Sequence, residues 1–151
     1  MSANSKRELI ILDFVSKLGT IPTIATVERK KPQLNELDGI AETQLPMAVV
    51  LGKLPVPQEI KWSSREQGVP DYFISDLDVE VLVYGRDNVT PDSSISNFAD
   101  DIWEKLYSDP TIGGLIRLLQ IKPDVDTLIY DPYFMFRMVC TVTYQHQTGG
   151  I

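Results

Sequence analysis

The sequence predicts an α+β fold: a two-layer sandwich in which a mostly antiparallel sheet carries two helices on one face and extends a projecting hairpin arm. Three patterns lead there. Phe134, Phe136, Met138, Cys140, Val142 and Tyr144 alternate with Met135, Arg137, Val139, Thr141 and Thr143. That is the period of two of a strand with one wholly apolar face. Ile95, Phe98, Ala99, Ile102 and Leu106 recur at helical spacing, as do Ile10, Ile11, Phe14, Val15 and Leu18, so two helices each carry one apolar stripe. A striped helix must bury its stripe against another element, and the apolar sheet face is the partner on offer.

In chain order, Ser5-Lys6-Arg7-Glu8 has the capping-box pattern, with the Ser5 hydroxyl and the Glu8 carboxylate meeting unpaired backbone donors. A first helix is predicted from about Lys6 to Leu18, with Gly19 placed as its C-terminal cap. Ile21 to Arg29 is rich in Thr, Ile and Val and reads as a strand, Pro22 being confined to its start or to an edge. Lys30 to Gln44 has no period and reads as a loop. Leu45 to Leu54 reads as a second strand whose near-continuous apolar run suits burial on both faces.

Pro55 to Pro70 holds three prolines, Ile60, Trp62 and the polar tip Ser63-Ser64-Arg65-Glu66-Gln67-Gly68. A long hairpin arm fits it, and such arms commonly carry contacts to something else; the alternative is a surface loop with Trp62 folded back on the core. Asp71 to Tyr84 is a strand with Leu77, Val79, Val81 and Val83 on one side and Asp76, Asp78 and Glu80 on the other. Gly85 to Asn88 turns into the second helix, capped by Thr90 or Asp92 with Pro91 in its first turn. Pro110 disfavours helical geometry at Asp109, so the helix cannot run far past Ser108. Gly113–Gly114 is a turn, and two further strands close the chain, the last being the alternating run above.

The chain has 151 residues, read as one domain over 1–151, with 14 basic and 21 acidic residues and a net charge of −7. That balance argues against a protein that grips nucleic acid through its phosphates. Cys140 is the only cysteine, so no intrachain disulfide forms, and its place on an apolar strand face marks it as a buried structural thiol. No apolar run approaches the ~18–20 residues of a membrane helix, and Glu8 and Asp13 interrupt what would be a signal-peptide core. A soluble, unprocessed, cytoplasmic protein is expected, with no membrane contact.

Chemistry is sparse. There is no GxGxxG, P-loop, GxSxG or HExxH pattern, and His146 is the only histidine. Catalytic, metal-binding and cofactor residues are therefore assigned as none, and the chain is read as no enzyme. Asp76, Asp78 and Glu80 could be drawn as a cation site or as catalytic carboxylates. A strand spaces same-face neighbours about 6.6–7 Å apart, wide for one ion, so a solvated sheet face is the reading taken. Asp124 and Asp126 beside Pro123 read as turn residues.

The stretch Ile102, Trp103, Leu106, Asp109, Pro110, Thr111, Gly113, Gly114, Leu115, followed by Val139, Val142 and Tyr144, resembles the tail terminator (minor tail or tail completion) proteins of long-tailed bacteriophages. The likeness covers the C-terminal part of the chain closely and the rest in order of elements. It implies a two-layer fold that assembles as a hexameric ring on the head-proximal end of the tail tube. There it would stop tube polymerisation and offer the surface for head–tail joining, in a virion assembled in the host cytoplasm. Its partners would be copies of itself, the tail tube protein, the head connector or neck protein and, in contractile tails, the sheath protein. DNA would pass through the lumen without specific binding, which an acidic chain favours because like charge repels phosphate. Trp62 and Arg65 on the arm are the expected subunit or tube contacts. Two other readings stay open: another neck or connector subunit, a stopper or adaptor, and a small cytoplasmic protein-binding module that uses the Trp62 arm. An enzyme built on Asp76, Asp78 or Glu80 ranks behind both.

Overall fold

In the computed structural model, residues 5–31, 45–62, 70–87, 89–122, 126–130 and 132–146 are described. The order is α1 (Lys6–Gly19), β1 (Thr26–Glu28), β2 (Met47–Gly52), β3 (Val56–Trp62), β4 (Pro70–Arg86), α2 (Pro91–Tyr107), β5 (Leu118–Ile121), β6 (Asp126–Tyr130) and β7 (Tyr133–His146). Both helices pack on one face of a seven-stranded, mostly antiparallel sheet, the α+β two-layer arrangement that the patterns predict.

The sheet is built around a long central ribbon. β4 and β7 pair antiparallel from Phe73 opposite His146 to Arg86 opposite Tyr133. Each takes two shorter strands along its outer edge, one after the other. On β4 these are β2, with Met47 opposite Tyr84, and β3, with Val56 opposite Asp76. On β7 they are β5, with Leu118 opposite Thr143, and β6, with Asp126 opposite Arg137. β1 joins β2 in parallel and makes the sheet mixed.

The alternation in β7 is borne out residue by residue, every even position being buried. Phe134 to Tyr144 on that side meet Leu77, Val79, Val81 and Val83 of β4. Above them lie Ile10, Ile11, Phe14 and Leu18 of α1 and Ile95, Ile102 and Leu106 of α2. Cys140 belongs to this core, and burial pushes its thiol up to about 12. The thiol is therefore expected to resist alkylation in the native protein and to label at the ordinary rate once guanidinium unfolds it. Native labelling at the rate of a free thiol would contradict its burial.

Where the elements differ from the patterns, local hydrogen bonds account for it. The Ile21–Arg29 run contributes only Thr26–Glu28 as strand. Before it the chain turns, with the Ile24 N–H donating to Ile21 O at 3.1 Å, and Ile21 and Ile24 drop into the core. The second strand shortens to Met47–Gly52, but it is buried on both sides as expected. Ala48 and Val50 join the helix-side core, while Met47 and Val49 join Leu82 and Tyr84 in a second cluster on the other face. Gly19 is not a left-handed cap. It ends the helix, and Thr20 caps it with right-handed backbone (φ −89°, ψ −7°), its hydroxyl donating to Lys17 O at 2.6 Å.

Half of the capping box forms. Ser5 Oγ accepts from Glu8 N at 3.2 Å, but the Glu8 carboxylate turns to Arg29, which grips both of its oxygens. The hydrogen bond from Arg29 holds Glu8 below the usual carboxylate range. At α2, Thr90 is the N-cap residue but its side chain makes no cap bond, and Pro91 sits in the first turn. Asp87 does the work instead: Oδ1 accepts from the N–H groups of Val89 (2.9 Å) and Thr90 (3.0 Å), and Oδ2 from Ser94 Oγ (2.5 Å). Those bonds, Ser94's first, hold the Asp87 carboxyl below its ordinary value.

The two closing strands are in fact three. Both β5 and β6 register on β7, and Lys122 N donates to Val139 O at 3.0 Å where β5 ends. Pro123, which follows in the sequence, has no N–H to carry the ladder on. Asp126, expected in a turn, opens β6 instead. Of the loop expected over Lys30 to Gln44, residues 32–44 lie outside the described residues.

Candidate functional site

Asp76, Asp78 and Glu80 form an acidic row on the helix-free face of β4. Thr143 Oγ1 donates to Asp76 Oδ1 at 2.7 Å, and Thr141 Oγ1 to Asp78 Oδ1 at 2.8 Å. Glu80 lies between Arg137 (3.3 Å) and Lys53 (3.6 Å), and Arg137 reaches on to Asp126 at 3.0 Å. The row is a cross-strand polar ladder between β4 and β7 rather than a freely solvated face. Its carboxylates are spent on hydroxyls and cations of the sheet itself. Beside it, Lys53, Leu54, Val56, Gln58 and Lys122 rim a shallow cleft of about 310 Å³. Among the described residues, no group of three or more His, Cys, Asp or Glu side chains could hold a metal ion, and no helix is long and apolar enough to cross a membrane.

The single histidine, His146, is buried. Its Nε2 lies 2.7 Å from the hydroxyl of fully buried Ser75, and its ring stacks on Phe73 and tilts against Tyr144. Sealed under aromatic rings at the end of the ribbon, the Ser75–His146 contact clamps β4 to β7.

The resemblance rests on the Asp109–Leu115 turn, where three elements converge. Ile112, Gly113 and Gly114 have φ of 50°, 62° and 91°, a left-handed run that two glycines make inexpensive. Asp109 Oδ1 accepts from Gly113 N at 3.1 Å. Lys17 of α1 donates to the Asp109 carbonyl at 3.2 Å, with its ammonium 3.7 Å from Oδ2. The turn thus ties α2 to α1 and delivers the chain onto β7 as β5.

The margins of the sheet are the features that the sequence did not reveal. β3 is exposed from Val56 to Ile60, and β6 from Asp126 to Ile129. Val56 and Ile60 keep 58% and 43% of their surface in solvent, and Leu128 and Ile129 keep 44% and 51%, too much for residues paid into a core. Trp62 is the last residue of β3, opposite Pro70. Arg65, the other expected contact residue, lies outside the described residues.

No family model and no curated protein matches the chain. Among solved structures, a chain from the virion of a native gene transfer agent particle is similar in fold. Its TM-score is 0.38 and its identity 6%, over 88% of this chain and 84% of that one.

Proposed function

We propose that this protein is a structural subunit of a phage-like tail, and specifically its terminator. Copies form a ring, six by the family resemblance, that caps the head-proximal end of the tail tube, stops its growth and offers the head connector a docking surface. The observation that carries this reading is the Asp109–Leu115 turn. The residues on which the likeness rests have a physical reason to be there, because the glycine pair takes left-handed backbone and Asp109 gathers Lys17 and Gly113. The same turn leads from α2 through β5 and β6 into the closing apolar strand β7. The net charge of −7 suits a lumen that lets DNA through without holding it. Trp62, as part of β3, and Arg65 are kept here as proposed subunit or tube contacts.

The test adds the purified protein to polymerising tail tubes and images them by negative stain. Tubes that stop growing and carry a ring at one end support the terminator role, as do overlong or unjoined tails on particles that lack the protein. Tails of normal length on heads that leak DNA would assign a stopper instead. A monomer that ignores tube ends would overturn the proposal.

A further inference from the structure

Of the strands at the sheet's margins, two are already blunted. β1 is three residues long. The Ile121 N–H of β5 is taken by the Tyr107 hydroxyl at 3.0 Å, so α2 closes part of that edge. This leaves β3 and β6, one at each margin, each paired to a single strand among the described residues. An edge strand with exposed apolar side chains is a template for another strand unless something blocks it. Pro57 withholds one donor on β3, but Gln58 to Ile60 follow it unblocked by proline.

The two margins match in direction. β3 runs antiparallel to β4, β6 antiparallel to β7, and β4 antiparallel to β7. β3 and β6 therefore run opposite ways. β3 flanks the Phe73–His146 end of the ribbon and β6 its Arg86–Tyr133 end. A second copy in the same orientation, slid along the strand direction, therefore lays its β3 antiparallel to the first copy's β6 and extends the sheet with an offset. Antiparallel pairing of β3 with β3, or β6 with β6, requires one copy to be rotated by half a turn relative to the other, which closes a two-fold dimer and no ring.

They also match by face. β3 carries a register shift between Pro57 and Glu59, so Val56 stands opposite Asp76 while Ile60 stands opposite Phe73. Without that shift, residues four apart on a strand would share a side; with it, Val56 takes the helix-free side and Ile60 the helix side. On β6 the neighbours Leu128 and Ile129 stand opposite Met135 and Phe134 and divide the same way. Each margin thus offers one exposed aliphatic side chain per face, Val56 with Leu128 and Ile60 with Ile129.

We infer that copies of this chain join head to tail by antiparallel addition of β3 of one copy to β6 of the next. The seam has Ile60 and Ile129 on the helix side and Val56 and Leu128 on the other. This deepens the ring reading by naming the surface through which the second copy binds.

The test uses two single variants, Ile60→Lys and Ile129→Lys, with light scattering and native mass spectrometry on the full chain. Wild type is expected to form closed assemblies larger than a dimer, and each variant to run as a monomer with an unchanged circular dichroism spectrum. Mixed, the two variants are expected to form a one-to-one dimer and nothing larger, because only the intact β6 of the Ile60→Lys copy can meet the intact β3 of the Ile129→Lys copy. Val56→Lys and Leu128→Lys should repeat that pattern from the opposite face. Assembly of either single variant like wild type, a mixture that stays monomeric, or a wild type that never assembles would overturn the inference. The tube-capping assay keeps the two readings apart. Rings that fail to cap tubes sink the terminator role but leave the seam standing; Lys variants that still form rings and cap tubes sink the seam alone.

Discussion

Phe136→Ala is expected to remove about 3–5 kcal/mol of folding stability, the range for deleting a buried aromatic side chain, and to lower Tm by roughly 6–20 °C. Phe136 is wholly buried near the start of β7 on its helix side, with Val83 of β4 on one flank and Thr127 of β6 on the other. The flanking strands are tied by their ladders and cannot close in on the space, so most of the void would persist and the effect falls toward the upper end. Denaturant titration with an unchanged m-value measures it. A loss below about 1 kcal/mol would mean that the core collapses around the gap, contrary to the close packing described.

Gly85→Val acts by the opposite route. Gly85 sits across the ladder from Phe134, whose ring lies where a side chain at position 85 would begin, with Cε1 2.6 Å from the position of an added Cβ. The glycine is present for close approach: the far end of the Phe134 ring takes the space over its bare backbone. A valine must push Phe134 aside and with it Phe98 of α2, whose ring centroid is 6.1 Å away. Overpacking of this kind costs about 1–3 kcal/mol. Because the loss runs through one ring, it should be non-additive with Phe134→Leu, which gives the valine room. Thermal melts of the two single variants and the double variant decide it, and simple additivity would show that Phe134 is not the obstacle.

The elements legible in the sequence are those in which one pattern runs long enough to outweigh local noise. α1, α2, β4 and β7 each repeat a helical or alternating period over several turns or pleats, and one buried face confirms each of them. The stretches that misled are short. Ile21–Arg29 has strand composition, but its first residues turn so that Ile21 and Ile24 enter the core and only Thr26–Glu28 is left for a ladder. β5 and β6 read as one run because both carry apolar residues. Asp87 escaped notice as a cap because it lies before the usual capping position, reaching forward through an Asx-type turn. The burial of His146 has no local signature, since what covers it is Phe73 and Ser75, far away in sequence. The seam residues could not be seen at all. Val56, Ile60, Leu128 and Ile129 look like ordinary core aliphatics, and the irregularity around Gln58 that sends Val56 and Ile60 to opposite faces has no signature in the residues themselves.

The unequal lengths of the strands also govern how the molecule comes apart. β4 and β7 are zipped together from Phe73 to Arg86, whereas β3 and β6 each hang from one side of that zipper. Thermal fluctuations can peel a lateral strand away without breaking the middle, so amide protons there should trade with solvent long before those of Val79, Val81, Met138 and Cys140. A neighbour clasping the loose strands would slow that exchange at the rim and leave the centre unchanged.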